Sequence, residues 1–334
     1  MYFLSLIFIG PVYHSTTILK ITIFYLHHDN NGYNNGQMVY KSYIIAGPTA
    51  SGKSSFAHRL ARRINATIVN CDSVQIYRGI ENISASPFAG AEITDELDGV
   101  PYRLFSILPL ESQISVSEYL EMARQEYERS ISDGRPVVFV GGTGYYINAL
   151  INGMSPMPDV SDENRARARQ MVAKDLQSAR AMLPREFSAT DPQRVARALE
   201  VFLQTGRHLI DFQNLPRTGA VVPHARRILI NPPTEILRER IASRIPQMLS
   251  GGALAEAQSV IDSGWDERRA IGAAQLCAYI RGEKTHDECV ADWINKTNQY
   301  AKRQRTWFRT QFSPDVIIKR TGDDADLELF LSEN

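Results

Sequence analysis

A pattern that binds phosphate begins at Gly47. The stretch "GPTASGKS" (47–54) places two glycines, a lysine and a serine at the spacing G-x-x-x-x-G-K-[ST]. An apolar run precedes it and an amphipathic stretch follows, which is the strand–loop–helix context that this P-loop pattern requires. Loop N–H groups and the helix N-terminus favour a bound anion, Lys53 adds a point charge, and the Ser54 hydroxyl suits Mg²⁺. The sequence therefore predicts a phosphate site, for which ATP is the usual ligand.

The acid that a P-loop ATPase places after a second apolar strand is missing. The run "VVFV" leads into Gly141–Gly142–Thr143–Gly144, without an aspartate to organise Mg²⁺. The acid at the tip of a predicted strand is Asp72, in "NCDSVQIY". Opposite a P-loop it suits a general base, although aspartate in this position is also a common turn cap. Ser73 and Gln75 beside it carry groups able to read the edge of a nucleobase.

Two other features each allow two interpretations. The turn "GGTGYY" offers a close backbone approach and the Thr143 hydroxyl at a strand's carboxyl end, or it is a glycine cap and tight turn. Arg240 and Arg244 lie one helical turn apart beside an apolar row, where they either clamp a leaving diphosphate or solvate the helix.

Three segments are rich in basic residues. In "DPQRVARALEVF", Asp191 and Pro192 predict a helix start, and the arginines form a face that by spacing alone is solvated. The stretch "TNQYAKRQRTWFR" (297–309) interleaves basic with aromatic residues, which suits RNA or a core edge. With "RARAR" (165–169) it makes two basic clusters in a chain whose 37 basic and 37 acidic residues balance.

The elements that must position these residues alternate in type. Strands are predicted at "SYIIAG", "ATIVNC", "YRLFSI", "PVVFVGG", "RRILINP" and weakly at "DVIIK". Helices are predicted at "KSSFAHRLARRI" and "SVSEYLEMARQEYERSI", the latter started by Ser117 with Glu121. This rhythm predicts an α/β fold, a P-loop NTPase-like parallel sheet flanked by helices, with a helical insertion domain.

The predicted domain limits follow from these elements. Residues 38–158 and 207–334 form the P-loop core with C-terminal RNA-binding helices, and 159–206 form the helical insertion. Residues 1–37 are interpreted as a non-native or disordered extension, because two short apolar runs are followed by an Asn-rich linker. Three scattered cysteines argue against a disulfide framework and favour a reducing cytoplasm.

Taken in order, these segments resemble the tRNA dimethylallyltransferases, which prenylate the adenosine next to the anticodon. The resemblance covers about residues 43–310 and rests on a set of seven motifs in one order. They are "GPTASGKS", "DSVQIYRG", "VGGTGYYINAL", "DPQRVARALEVFLQTG", "RERIASRIPQML", "AIGAAQ" and "QYAKRQRTWFR".

This resemblance implies that the P-loop holds the diphosphate of dimethylallyl diphosphate and that no ATP is hydrolysed. The acceptor would be N6 of the adenosine 3′-adjacent to the anticodon, in tRNAs that read codons beginning with U. The enzyme is expected to need Mg²⁺, to be monomeric, and to bind the anticodon stem-loop without contacting a membrane.

The resemblance also implies roles for individual residues. Asp72 would take the proton from adenine N6, and Thr143 and Lys53 would complete the catalytic set. The expected diphosphate ligands are Gly47, Pro48, Thr49, Ala50, Ser51, Gly52, Lys53, Ser54 and Arg244, with Ser54 on the metal. The expected tRNA contacts are Asp72, Ser73, Val74, Gln75, Thr143, Arg165, Gln193, Arg194, Val195, Ala196 and Arg197.

The chain departs from the family's habit at a few positions. Ser86 stands where a lysine is usual, Tyr102 and Arg103 replace histidines, and Ala273 replaces an aromatic residue. The rival from another class is a small-molecule P-loop kinase with Asp72 as base, but no arginine-rich lid is evident. A GTPase-like RNA-binding module would require N-K-x-D, which the sequence lacks.

Overall fold

The computed structural model describes residues 32–34 and 37–332, and the side chains from 40 to 331. Its strands, in chain order, are β1 Gly32–Asn34, β2 Gln37–Val39, β3 Ser42–Ala46, β4 Thr67–Asn70, β5 Glu96–Leu97, β6 Val100–Arg103, β7 Val137–Gly141, β8 Arg226–Ile230 and β9 Val316–Ile318. Its helices are α1 Lys53–Ile64, α2 Glu81–Ser84, α3 Val116–Ser132, α4 Gly144–Asn152, α5 Asp162–Lys174, α6 Leu176–Ala181, α7 Pro192–Thr205, α8 Leu209–Gln213, α9 Thr234–Met248, α10 Leu254–Ser263, α11 Ala273–Ile280, α12 His286–Gln311 and α13 Leu327–Ser332.

The central sheet confirms the α/β prediction. Its order is β5-β6-β4-β7-β3-β8-β9, and every pair from β6 to β9 is parallel. Within this sheet, β5 runs antiparallel, against β6. The order reverses around β3, so β4 and β7 lie to one side of the P-loop strand and β8 to the other. In such sheets the ligand crevice opens at the carboxyl ends of the strands next to the reversal.

The sheet is covered on both faces, and its central strands are buried throughout. All five residues of β3 and of β7 are buried, as expected for parallel strands sandwiched between helices. One hydrophobic cluster packs α3, α4 and α9 to α12 against one face. A second packs α1 and α13 against the other. Both layers hold the carboxyl edge of β3, β4 and β7 in place.

The helical insertion has a core of its own. Buried residues of α5, α6 and α7 form a separate cluster that runs from Met157 to Phe212. A backbone bridge between Met154 and Thr218 closes the segment at its base. The predicted limits of 159–206 lie inside this cluster, whose edges the helical pattern alone did not mark.

Two element boundaries differ from the predictions. Helix α3 begins after Ser115, whose side chain accepts from the Glu118 N–H while Glu118 bonds back to the Ser115 N–H. The predicted start at Ser117 was therefore wrong, since this earlier serine satisfies the capping box. The strand predicted at "YRLFSI" is β6, which covers Val100–Arg103. It ends there because the chain turns at Leu104 and Ser106, both at positive φ.

The N-terminal extension predicted for residues 1–37 lies mostly outside the described residues. Within them, β1 and β2 pair as an antiparallel hairpin. All three cysteines are buried and free. In the described part of the chain, none of the helices combines the length and apolar composition needed to cross a bilayer.

Candidate active site

Three neighbouring strands bring the predicted site residues to one edge of the sheet, where Thr143, unlike the P-loop and Asp72, is not among the described residues that line the cavity. The P-loop follows β3, Asp72 lies just beyond β4, and Thr143 lies just beyond β7. A cavity of about 710 Å³ opens at this edge. Its walls include Lys53 and Ser54 from α1 and Asp72 from the β4 end. The topology therefore joins the phosphate cradle to the predicted base.

The P-loop has the backbone geometry of an anion cradle. Ala50 and Gly52 adopt left-handed conformations, at φ 64° and 83°, and the Ser51 N–H donates to the Pro48 carbonyl at 3.2 Å. Within the described residues, no side chain caps the start of α1. The first-turn N–H groups of this helix are therefore available to an anion, together with the positive end of its dipole.

Lys53 is a buried cation at the base of this cradle. Its ammonium donates to the Pro48 carbonyl at 3.4 Å. Burial lowers the pKa of Lys53 to about 8; the charge of Asp72 opposes this shift and that of Arg244 adds to it. The free protein thus carries a desolvated positive charge without a close counter-ion among the described residues, and an incoming diphosphate supplies one.

Arg240 and Arg244 both donate hydrogen bonds to the P-loop. Arg244 Nη2 donates to Thr49 Oγ1 at 2.9 Å, and Arg240 Nε donates to the Ala50 carbonyl at 2.8 Å. Burial, with the neighbouring Arg240 charge, lowers the pKa of Arg244 to about 10. Arg244 Nε is buried without a hydrogen-bond partner in the described residues. A guanidinium that contacts the P-loop and keeps a buried Nε without a partner favours the diphosphate-clamp interpretation over the solvated one.

One carboxylate oxygen of Asp72 forms a turn cap, and the other has no hydrogen-bond partner among the described residues. Its Oδ1 accepts from the Val74 N–H at 3.0 Å, which is the turn cap. Its own N–H donates to Asn70 Oδ1 at 2.8 Å, and Asn70 in turn donates to the Leu104 carbonyl. The carboxylate is thereby held rigidly on the cavity wall, and the described hydrogen bonds leave Oδ2 unengaged.

Thr143 ties the β7 turn to the residue after Asp72. The Ser73 N–H donates to Thr143 Oγ1 at 3.0 Å. Gly141 and Gly142, which precede it, allow close contacts within the protein itself. A Cβ on Gly141 would lie 2.0 Å from the Cys71 carbonyl oxygen, and one on Gly142 would lie 2.3 Å from Gln304 Nε2.

Gly141→Ala is expected to lower the free energy of unfolding by about 1–3 kcal/mol, because two backbones must separate to admit the methyl group. Urea unfolding measures this. Gly90→Ala is the comparison, since a methyl group there meets no atom within 4 Å and reports only the cost of a positive φ. Unfolding of Gly141→Ala at the wild-type midpoint would show that the contact is loose.

Gln304 is a site residue that the sequence patterns did not reveal. Its Oε1 accepts from the Thr49 N–H at 2.8 Å, and its Nε2 donates to the Gly142 carbonyl at 2.9 Å. This buried amide therefore bridges the P-loop and the β7 turn. Tyr300, one turn earlier on α12, also lines the cavity. The only indication in the sequence was the i, i+4 spacing of Tyr300 and Gln304, within a segment notable for its basic residues.

Gln75 has a structural partner on the cavity wall. Its Nε2 donates to the carbonyls of Ser84 and Ala85, at 3.1 and 2.8 Å. Its amide donors are thus engaged with α2, whereas the expectation had them reading a base. Ser73 remains on the wall, where its hydroxyl accepts from Thr143 at 3.3 Å.

The expected tRNA contacts on the insertion lie away from the cavity. Gln193 and Arg194 are exposed, and Arg165 pairs with Asp162 at 3.0 Å. Arg197 pairs with Glu200 at 3.1 Å. The expected tRNA contacts of Val195 and Ala196 must be corrected. These residues are 0% and 7% exposed and belong to the insertion core, so their side chains do not face a nucleic acid. In the C-terminal cluster, Phe308 is likewise core and Lys302 and Arg309 are exposed.

The departures from the family pattern have internal partners. Tyr102 Oη lies 3.0 Å from His58 Nδ1, and burial raises the pKa of Tyr102. Arg103 lies 3.6 Å from a Glu126 carboxylate oxygen. Ser86 accepts from the Phe88 N–H, and Ala273 is fully buried. These positions support the fold around the site and do not reach into the cavity.

The chain is similar in sequence to proteins of one family. Residues 75–311 match the family model described as IPP transferase. The tRNA dimethylallyltransferase of Rhizobium etli is 37% identical over 82% of this chain and 95% of its own. That of Acidiphilium cryptum is 38% identical over 80% of this chain and 83% of its own.

Solved structures agree in fold. The tRNA isopentenylpyrophosphate transferase of Bacillus halodurans superposes with a TM-score of 0.60 at 28% identity, over 87% of this chain and 93% of that one. A eukaryotic dimethylallyltransferase acting on tRNA superposes with a TM-score of 0.67, over 88% of this chain and 78% of its own, but at 20% identity it supports the fold alone.

Proposed function

Because the chain belongs to the IPP transferase family of tRNA dimethylallyltransferases, we propose that its cavity binds dimethylallyl diphosphate and transfers the allyl group to a tRNA adenosine. The acceptor is N6 of the adenosine 3′-adjacent to the anticodon, in tRNAs reading codons that begin with U. The observation that carries this proposal is the single cavity shared by the P-loop, the two arginines of α9 and the carboxylate of Asp72.

The diphosphate end of the donor is held by residues 47–54, with Arg244 as the clamp. As the allylic C–O bond breaks, negative charge develops on the departing diphosphate. Lys53 and Arg244 line the cavity at the P-loop, and the uncapped first N–H groups of α1 lie beside them, so in this proposal they meet that charge. Such preorganised donors stabilise the transition state without reorganising, and this electrostatic effect is often the main source of an enzyme's rate enhancement.

Asp72 acts at the other reactant. The exocyclic adenine amine is a weak nucleophile, so a base that removes its proton while the new C–N bond forms lowers the barrier. Oδ2 accepts that proton, while Oδ1 keeps the carboxylate oriented through the Val74 N–H. Thr143 maintains the orientation from the neighbouring strand end through its contact with Ser73.

Mg²⁺ fits this donor set as a partner of the diphosphate. Ser54 lines the cavity beside Lys53, and a hydroxyl with phosphate oxygens is typical of Mg²⁺ at P-loops. Across the described ranges, no three histidine, cysteine, aspartate or glutamate side chains group as a metal site. The metal would therefore arrive with the substrate, held by Ser54, and would neutralise diphosphate charge when bound.

The adenine must leave the anticodon stack to reach Asp72, so base flipping is part of the proposal. On the insertion, the exposed Arg165, Gln193 and Arg194 and the partly buried Arg197 would hold the RNA backbone on one side, and the exposed basic residues of α12 would hold it on the other. We further propose that the enzyme acts as a monomer in the cytoplasm, where its tRNA substrate is found.

The direct test is transfer of label. The protein is incubated with radiolabelled dimethylallyl diphosphate, Mg²⁺ and unmodified tRNA, with ATP omitted, and the tRNA is digested to nucleosides. The proposal requires label in N6-modified adenosine from the position next to the anticodon. Absence of label from the tRNA would refute it.

Donor binding is expected to depend on pH through Lys53. The pKa of Lys53 is about 8 in the free protein, so Lys53 loses its charge above that pH. A bound diphosphate favours the charged form and raises this pKa, so binding takes up a proton. The dissociation constant of a non-transferable thio analogue should thus be flat below pH 8 and rise about tenfold per pH unit above it.

Calorimetric titrations between about pH 7 and 9.5, without added Mg²⁺, measure this dependence. Lys53→Arg is the control, because a guanidinium stays charged over the whole range and should flatten the profile. An unchanged wild-type affinity up to the top of that range would contradict the role of the Lys53 charge.

A further inference from the structure

A segment beyond the family match closes over the P-loop. The family model ends at residue 311, and the chain continues through β9 into Thr321–Ala325, which we call the strap. The Gly322 N–H donates to the Ser51 carbonyl at 2.8 Å. Arg59, on α1, donates to the carbonyls of Gly322 and Ala325. The strap is therefore fixed to the phosphate cradle near its start, through Gly322, and to α1 at its end, through Ala325.

One strap side chain enters the cavity. Asp323 lines it, and its Oδ2 accepts from Arg240 Nη2 at 2.6 Å. The strap runs so close to the cradle that a Cβ on Gly52 would lie 2.7 Å from this same oxygen and 2.7 Å from the Gly322 nitrogen. Asp323 thus lies directly against a P-loop residue that the diphosphate must also approach.

Arg240 is held at two points of its guanidinium. Nε donates to the Ala50 carbonyl at 2.8 Å, and Nη2 donates to Asp323. Its side chain is still 39% exposed, and Arg244 repels it from one turn away. A guanidinium with this freedom and a like-charged neighbour would turn to solvent without an anchor. With Nε and Nη2 engaged, the described hydrogen bonds leave Nη1 of this cavity-lining residue as the donor for a ligand.

We propose that Asp323 is a positioning residue of the donor site, which holds the Arg240 guanidinium against the P-loop so that it binds the diphosphate. This inference rests on the proposed function, and it adds Arg240 and the strap to the residues that select a diphosphate. A strap that merely stabilises the fold predicts a different pattern, since removing the carboxylate would then lower stability and leave donor affinity unchanged.

The test is Asp323→Asn, compared with Asp326→Asn. Asp326 is the matched control because it lies just beyond the strap, is exposed, and caps α13 through the Leu329 N–H at 3.0 Å, a bond that asparagine also accepts. Steady-state kinetics with varied donor and varied tRNA give both KM values and kcat, and thermal unfolding gives Tm.

Asp323→Asn should raise the KM for dimethylallyl diphosphate about tenfold, as expected for the loss of a hydrogen bond to a charged group. The KM for tRNA, the Tm and all values for Asp326→Asn should stay near wild type. Asp323→Glu should restore part of the donor affinity. In Arg240→Gln, the further change Asp323→Asn should add little, because both act on one interaction.

The inference fails if Asp323→Asn behaves as Asp326→Asn does, or if it changes only the Tm. It also fails if the variant needs more Mg²⁺ at an unchanged donor KM, which would make Asp323 a metal ligand. Binding of inorganic diphosphate is measured in parallel by calorimetry. If wild type transfers no allyl group yet binds diphosphate more tightly than Asp323→Asn, the proposed function is refuted while the inference holds.

Discussion

Asp72→Asn is expected to reduce kcat for allyl transfer by about 10²–10⁴-fold, the usual contribution of a general base. Asparagine keeps an oxygen that accepts from the Val74 N–H, so the turn cap and the cavity wall survive. It cannot accept a proton from the adenine amine. The two roles of Asp72 are therefore separated by one substitution, and stopped-flow or quench measurements of single turnovers report the chemical step directly.

The control for this variant is Asp133→Asn, an exposed helix-terminal aspartate of α3 with the same change of charge. Its single-turnover rate should match wild type. Asp72→Ala should lose stability as well, because the Val74 N–H loses its acceptor. A wild-type rate for Asp72→Asn would show that another group, or water, takes the proton.

Lys53→Met should lower kcat by about 10²–10³-fold and weaken donor binding, because the charge that meets the departing diphosphate is removed. The same substitution should not destabilise the fold. In the free protein, Lys53 is a desolvated cation whose pKa is depressed mainly by burial. Replacing it by an apolar side chain of similar length relieves that cost, so the Tm should stay the same or rise.

Lys319→Met, at an exposed position just beyond β9, is the matched control, and neither its rate nor its Tm should change. Loss of activity together with a fall in Tm would be the contrary result, because it would mean that Lys53 supports the fold and not the reaction. Mass spectrometry of the reaction products separates slow transfer from hydrolysis of the donor.

Local patterns were enough to predict the framework of the site. The P-loop helix spans Lys53–Ile64, as predicted, because its start is fixed by the loop and its apolar face repeats at helical spacing. The positions of Asp72 and Thr143 followed from strand ends in a parallel sheet. Such features depend on residues close in sequence, or on a topology that the strand–helix rhythm already implies.

The rest of the site depends on contacts between distant residues. Gln304 meets Thr49 across 255 positions, and Arg244 meets it across 195. Spacing showed only that these side chains share a helix face, and it left the solvated interpretation of the arginines open. Asp323 gave no signal at all, because its meaning comes from the close approach of the strap to Gly52.

In the insertion, the motif-based expectation included too many residues. The motif around Arg194 was expected to contact tRNA as a block, yet a helix face alternates every few residues. Val195 and Ala196 point inward, where they pack with α5, and the neighbouring polar residues point outward. Of the expected contacts in this motif, Gln193, Arg194 and Arg197 remain as proposals.

The central claim is that this P-loop holds an allylic diphosphate in place of a nucleotide. Calorimetric titration of the wild-type protein with a non-transferable thio analogue of dimethylallyl diphosphate, alone and in the presence of excess ATP, tests it most directly. We expect one site for the analogue, unchanged affinity with ATP present, and weaker binding in Lys53→Met. Displacement of the analogue by ATP at equal or lower concentration would contradict the claim.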